Sequence, residues 1–272
     1  MTINCKGTLI DLSTPKVMGI LNITPDSFYD GGKLKDDTTI LGQAEKMLNN
    51  GATFLDVGGY SSRPGATDIP VSEELQRLIP AVELILKHFP KVLISADTFR
   101  SEVAQKSVEA GAAMVNDISA GLLDEHMIPT VAALQVPYVM MHMRGTPQTM
   151  KTLTDYEDVT LEVLRYFSEQ IATARQAGIN DIIADPGFGF AKTIEQNFKL
   201  LSQLELFKIL DVPLLAGLSR KSLIYKTLNT TPKEALNGTT ALNSIALLKG
   251  ASILRVHDVK EAVECVELVN RL

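Results

Sequence analysis

The stretch Asp181-Ile-Ile-Ala-Asp-Pro-Gly-Phe-Gly-Phe-Ala-Lys192 joins a short apolar run to a carboxylate and then to a turn. Residues 181 to 184 read as a buried strand, and the Pro-Gly-Phe-Gly sequence stops that strand from continuing. Asp185 therefore stands at a strand's exit. Glycines at 187 and 189 open backbone conformations closed to other residues, so Phe188 and Phe190 can be held on a tight loop beside the acid. A carboxylate with two aromatics suits a flat, nitrogen-rich ring, which donates hydrogen bonds at its edge and stacks on its face. The same residues also fit an ordinary strand-to-helix turn with two phenylalanines packed inward. What separates the readings is whether other strands end in the same way.

They do. Working outward, residues 17 to 21 run into Asn22 and a long loop of turn formers, and residues 54 to 57 run into Gly58-Gly-Tyr-Ser-Ser-Arg-Pro-Gly-Ala66. Residues 92 to 96 lead to Asp97, 113 to 115 to Asn116 and Asp117, and 138 to 141 to His142. Residues 212 to 216 lead to Gly217-Leu-Ser-Arg-Lys-Ser222, and 252 to 254 to Arg255-Val-His-Asp258. Helical spacing fills the intervals, as with Ile40, Ala44, Met47 and Leu48 before Gly51, or Val159, Val163, Phe167, Ile171 and Ala174 before Gly178. Ser72 with Glu73 and Glu74 reads as the cap of a helix bearing Leu75, Leu78, Ile79, Val82 and Leu86. Thr193 with Gln196 and Asp258 with Glu261 read as two further caps.

Eight strands, each followed by helical sequence, with no linker or low-complexity segment, predict α/β architecture: a single (β/α)8 TIM barrel over residues 1–272. A short N-terminal hairpin turning at Lys6-Gly7 precedes it and is placed to close one end. An open doubly wound sheet fits less well, because no GxGxxG turn follows the first strand and polar residues mark nearly every strand end.

Composition narrows the function. A formal charge of -6 over 272 residues argues against general affinity for nucleic acid or anionic membrane, so a bound anion needs local basic residues. No apolar run nears the roughly 20 residues of a membrane span, and the N-terminus lacks a signal-peptide pattern, which together predict a cytoplasmic protein. Cys5 and Cys265 form no CxxC and read as reduced structural thiols.

A barrel gathers its strand C-termini on one face, so Asn22, Arg63, Asp97, Asn116, His142, Asp185, Lys221, Arg255 and His257 are expected to ring one pocket. Asp97, Asn116 and Asp185, balanced by Lys221, suit an aminopyrimidinone edge, although each carboxylate could instead cap the helix after it. Arg63, Arg255 and His257 with Asn22 suit a polyphosphate, because the arginine fork grips phosphate oxygens; taken singly, either arginine also fits a surface ion pair. The four histidines lack HExxH spacing and no cysteine pair is available, so zinc is not expected. A Mg2+ carried mainly by substrate phosphates fits better, with Asn22 as one weak protein ligand. No GxSxG elbow suggests a serine hydrolase.

Taken together, Gly19-Ile-Leu-Asn-Ile-Thr-Pro-Asp-Ser-Phe28, Asp56-Val-Gly-Gly59, Ser61-Ser-Arg-Pro-Gly-Ala66, Ser95-Ala-Asp-Thr98, Asn116-Asp117, Met141-His-Met-Arg-Gly-Thr-Pro147, Asp185-Pro-Gly-Phe-Gly-Phe190, Gly217-Leu-Ser-Arg-Lys-Ser222 and Arg255-Val-His-Asp258 closely resemble the bacterial dihydropteroate synthase family of pterin-binding TIM barrels. The resemblance spans essentially the whole chain. It implies condensation of 6-hydroxymethyl-7,8-dihydropterin diphosphate with 4-aminobenzoate to give dihydropteroate and diphosphate in folate biosynthesis, with Mg2+ as cofactor and a homodimer as the assembly. By motif, Asp97, Asn116, Asp185 and Lys221 correspond to the pterin pocket. Asn22, Arg63, Arg255 and His257 correspond to the metal-diphosphate site, and Phe28, Ser62, Pro64, Phe190, Lys221 and Ser222 to the aminobenzoate side. The catalytic set implied is Lys221, Arg255, Asp97 and Asp185.

This chain departs from the family's Glu-Ser-Thr-Arg-Pro-Gly pattern, with Tyr60 and Ser62 in place of the acid and the threonine. Loss of the threonine methyl bears on packing around aminobenzoate and on sulfonamides, which resemble it. Two other readings share the ring pocket: a methyltransferase using methyl-tetrahydrofolate, and a barrel that binds pterin without catalysis. The first has less need of Arg63 and Arg255 on phosphate, and intact Arg63, Lys221, Arg255 and His257 argue against the second.

Overall fold

The structure is a computed structural model that describes residues 1–23, 33–61 and 67–272. Phe28, Ser62, Arg63 and Pro64 lie outside the described residues.

Two antiparallel strands open the chain, β1 (Thr2–Cys5) and β2 (Thr8–Asp11), paired with Ile3 opposite Ile10. Lys6 and Gly7 both take positive φ, 52° and 86°, the turn geometry whose twist matches that of a two-residue hairpin. Eight parallel strands follow: β3 (Lys16–Asn22), β4 (Phe54–Gly58), β5 (Leu93–Asp97), β6 (Met114–Asp117), β7 (Tyr138–Met141), β8 (Ile182–Asp185), β9 (Leu215–Ala216) and β10 (Ile253–Val256). Their hydrogen-bonded order runs β8, β7, β6, β5, β4, β3, β10, β9. The circle is completed by a parallel bridge between Ala184 and Leu214, with the Ala184 amide donating to the Pro213 carbonyl at 2.9 Å. The barrel expected from the strand-helix alternation is therefore present, with the hairpin before it.

β9 is shorter than the expected run over 212 to 216. Pro213 carries no N–H to donate, so the regular ladder starts only beyond it, while its carbonyl still makes the closing bond.

Helices cover the outside: α1 (Lys33–Asn49), α2 (Val71–His88), α3 (Ser101–Glu109), α4 (Met127–Leu134), α5 (Val159–Gln176), α6 (Ile194–Ser202), α7 (Ser222–Thr227), α8 (Leu236–Leu248) and α9 (Val259–Val269). The Thr193–Gln196 capping box is formed as expected. Two other caps are not. Pro70, preset at φ -67°, holds the N-cap of α2, which moves Ser72 into the first turn beside Glu73 and Glu74. Asp258 does stand at the N-cap of α9, but its carboxylate accepts from Arg220 Nε and Nη2, both at 2.8 Å, and makes no side-chain cap bond. A charged, planar donor pair outcompetes a backbone amide for those oxygens.

Strand residues alternate between two cores. Leu55, Val57, Ile94, Ala96, Val115 and Met140 pack outward against the helices. Met18, Phe54, Met114, Val139, Ile183, Leu215 and Ile253 form a separate cluster with Ile3, Cys5 and Leu12 of the hairpin segment. That cluster fills the barrel's N-terminal end, and the hairpin seals it. Both cysteines are free and buried, and burial pushes the Cys5 thiol up to about 12, so it stays protonated and inert. Among the described residues, no helix is long and apolar enough to cross a membrane.

Candidate active site

Side chains of one strand that face the barrel interior recur every second residue. Counting up from the apolar floor therefore generates the site. Phe54 is followed by Asp56, Leu93 by Ser95 and Asp97, Met114 by Asn116, Ile183 by Asp185, and Ile253 by Arg255. The floor is apolar and the layer above it is charged.

Arg255 organises that layer. Its Nε donates to Asp56 Oδ2 and its Nη2 to Asp97 Oδ2, each at 2.5 Å. Asn116 Nδ2 reaches the same Asp56 carboxylate at 3.1 and 3.3 Å. Burial works against the guanidinium charge, but the carboxylates of Asp56 and Asp97 outweigh it and push the Arg255 pKa upward. Burial raises the Asp97 carboxyl well above the usual carboxylate range, with Arg255 opposing and Asp56 reinforcing the shift. Asp56, only 1% exposed, was not among the expected site residues. Its signal was available in the alternation with Phe54, but a lone acid inside an apolar strand carries no partner in the sequence.

Asp185 and Lys221 form the facing wall. Asp185 Oδ1 accepts from the Gly187 amide at 2.8 Å, and α6 begins only at Ile194, so the acid caps a tight turn and not a helix. Burial raises the Asp185 carboxyl, against the pull of Lys221. Lys221, at the N-cap of α7, donates through Nζ to the Phe188 carbonyl and lies 4.8 Å from the centroid of the Phe190 ring. A Cβ on Gly217 would meet Lys221 Nζ at 3.6 Å and Asp185 Oδ2 at 3.8 Å, so both groups close around that glycine. Burial draws the Lys221 ammonium down to about 8, with Asp185 opposing. Ser222 follows as the first residue of α7 and is half-buried.

The remaining expected residues are placed differently. Asn22 ends β3 and is half-buried. His257 is exposed just beyond β10, where its Nδ1 lies 3.0 Å from Ser219 Oγ and its amide donates to the same oxygen at 3.2 Å. His142 does not face the ring pocket. It is 3% exposed, stacks edge-on against Tyr166 at 4.8 Å, and its Nδ1 lies 3.0 Å from Lys192 Nζ. His142 follows β7 as expected, but Val139 is the interior residue of that strand and His142 packs between Tyr166 and Lys192. Tyr60 is buried, its hydroxyl accepts from Gln148 Nε2 at 3.0 Å, its ring meets Phe99 edge-on at 5.0 Å, and the Arg100 guanidinium lies 5.3 Å from its centroid.

Among the described residues, no group of three or more His, Cys, Asp or Glu side chains could hold a metal ion. Asp56 and Asp97 are engaged by Arg255, and Asn22, the expected metal ligand, offers one neutral amide oxygen at the end of β3. Such a donor set fits a hard cation brought in by a polyphosphate and not one caged by the protein.

The fold is an eight-stranded parallel barrel that gathers Asp56, Asp97, Asp185, Lys221 and Arg255 at its strand ends, and the chain belongs to the family of pterin binding enzymes, whose model matches residues 18–257. Its relatives include several dihydropteroate synthases. The Escherichia coli K12 dihydropteroate synthase is 48% identical over 271 residues, covering 99% of this chain and 95% of that protein. The Yersinia pestis dihydropteroate synthase, solved with a sulfonamide drug complex, superposes with a TM-score of 0.93 at 41% identity, covering 100% of this chain and 98% of that one. The Xanthomonas albilineans enzyme, solved with 4-aminobenzoic acid, gives 0.92 at 40% identity over 99% and 97%.

Proposed function

We propose that this chain condenses 6-hydroxymethyl-7,8-dihydropterin diphosphate with 4-aminobenzoate, giving 7,8-dihydropteroate and diphosphate for folate synthesis. The observation that carries the reading is the Asp56–Arg255–Asp97 bridge with Asn116, Asp185 and Lys221 around it. Three carboxylates face two cations there, so the inner pocket favours a ring that donates several hydrogen bonds and can take up positive charge. Departure of diphosphate from the pterin methylene leaves that charge on the ring: the C–O bond breaks, the diphosphate keeps the electron pair, and the aminobenzoate nitrogen then forms the C–N bond and releases a proton.

Asp97 and Asp185 steady the cationic ring as charge develops, an electrostatic role performed by groups already in place. Lys221 donates to the ring edge or to a carbonyl, held at the pocket wall by Phe188. Arg255 uses Nε and Nη2 to fix its own orientation, and its remaining donors are those suited to the leaving diphosphate. His257, exposed just beyond β10, is the other described residue suited to the diphosphate. Mg2+, when bound with the diphosphate, supplies charge neutralisation of its oxygens, and Asn22 is the protein oxygen suited to it. Phe190, Lys221 and Ser222 are the described residues suited to the aminobenzoate side, where a sulfonamide would compete. The assembly is a homodimer in the cytoplasm; exposed Leu228, just after α7, and Ile245 and Leu248 of α8 offer apolar surface.

The test is mass-spectrometric detection of dihydropteroate after mixing the protein with dihydropterin-methyl diphosphate, 4-aminobenzoate and Mg2+. Product is expected only with all components. Binding of the pterin diphosphate without product would overturn the reading in favour of a silent binder, and methyl transfer from methyl-tetrahydrofolate in its place would identify the related transferase.

A further inference from the structure

Lys192 is 8% exposed, and its ammonium touches no carboxylate among the described residues. Nζ lies 3.0 Å from the carbonyls of Gly187 and Phe190, 3.0 Å from His142 Nδ1, and 3.5 Å from the His142 carbonyl. Placing a cation in such a site is costly, and a turn this short closes in most proteins without one. The turn is wound tightly: Gly187 has φ +71°, Gly189 +82° and Ala191 +48°, and a Cβ on Gly187 would fall 2.1 Å from the His142 carbonyl oxygen. Asn197 braces the outside, accepting from the Gly189 amide at 2.6 Å and donating to the Lys192 carbonyl at 3.3 Å. What the turn presents inward is the Phe188 carbonyl, which accepts from Lys221, and the Phe190 ring, over which Lys221 lies.

We propose that Lys192 is a positioning residue of the transfer site: by gathering the carbonyls of His142, Gly187 and Phe190 around its ammonium, it holds the turn in the path that brings the Phe188 carbonyl and the Phe190 ring to Lys221. It binds no substrate itself. Its neighbours set its protonation as well as its place: burial draws it down to about 7, with Asp185 opposing and Lys221 and Arg144 adding to the fall. The turn is thus held by a group whose charge is soft at neutral pH, yet both protonation states retain N–H donors for the carbonyls.

The inference rests on the aminobenzoate-transfer reading. The experiment compares the wild type with Lys192→Met, Lys192→Gln, Phe190→Ala and the Lys192→Met/Phe190→Ala double variant, measuring KM for each substrate, kcat and Tm. Lys192→Met is expected to raise KM for 4-aminobenzoate about tenfold, the scale of one lost oriented contact. Lys192→Gln, which keeps two amide donors, is expected to raise it less. Adding Lys192→Met to Phe190→Ala is expected to raise KM by less than Lys192→Met does alone, because the two changes share the Phe190 ring and only the Phe188 carbonyl contact remains to be lost. If Lys192→Met does not fold, Lys192→Gln is paired with Phe190→Ala under the same criterion. Variants with a lowered Tm but unchanged KM, or additive effects in the double variant, would overturn the positioning role. A wild type that forms no dihydropteroate would instead overturn the reading beneath it.

Discussion

Arg255 illustrates how one side chain serves two faces of a site. Its Nε and Nη2 are bound to Asp56 and Asp97, so its plane is set before any ligand arrives and the cost of ordering it is met during folding. Lys221 is controlled differently, by burial and by the Phe188 carbonyl. Its pKa in the folded protein, about 8, lies below the value of 10.5 expected for the unfolded chain. The unfolded state therefore binds more protons between those values, and the Lys221 contribution to stability rises with pH from about 8 to about 10.5. Ligand affinity moves the other way. Pterin-diphosphate affinity is expected to fall as pH rises through about 8, where the ammonium loses its proton. Titration calorimetry across that range tests this, since Lys221→Met should bind more weakly at every pH and lack the decline. A wild-type affinity that is flat from neutrality into the alkaline range would remove the ammonium from pterin recognition.

At the level of elements, the segment after β8 brings Asp185, Phe188 and Phe190 to Lys221, and its path depends on backbone at positive φ as well as on the Lys192 and Asn197 side chains. Gly187→Ala would place a Cβ 2.1 Å from the His142 carbonyl at φ +71°. Gly178 also has a positive φ, +98°, but nothing lies within 4 Å of its would-be Cβ. Gly178→Ala is expected to cost about 1 kcal/mol from backbone strain alone, and Gly187→Ala more than about 3 kcal/mol because a backbone carbonyl must move. Urea unfolding gives both values; equal losses would mean the His142 carbonyl yields freely. The strand-helix alternation and the Thr193–Gln196 box were legible because they depend on neighbours in sequence. Asp258 makes no cap for the opposite reason, since Arg220 engages it from 38 positions away, whereas the Ser72 expectation fails locally, Pro70 starting the helix two positions earlier.

Over the whole molecule, the barrel separates stability from chemistry along its axis. Ile3, Cys5 and Leu12 seal the N-terminal end against one apolar layer, while the charged layer opens at the other end. Ile3→Ala should therefore lower stability by about 2–5 kcal/mol, the range for truncating a buried isoleucine, and leave both substrate KM values unchanged. Chemical denaturation alongside steady-state kinetics decides this. A raised KM with little loss of stability would show that the hairpin acts on the site through the barrel.

Local order is what the chain determines by itself: period-two strands, period-3.6 helices, the Lys6-Gly7 turn, and the acids, amides and bases at strand ends that share one rim in a barrel. Those features need only neighbouring residues and the geometry of the backbone, so Asp97, Asn116, Asp185, Lys221 and Arg255 could be assembled on paper. Partnership was decided only by the tertiary structure. Asp56 joins the site because Arg255, 199 positions away, folds across the barrel onto it. His142 leaves the pocket because Lys192 and Tyr166 enclose it from other elements. Which polar groups meet depends on how strands from distant parts of the chain are laid side by side, and no spacing within one segment records that.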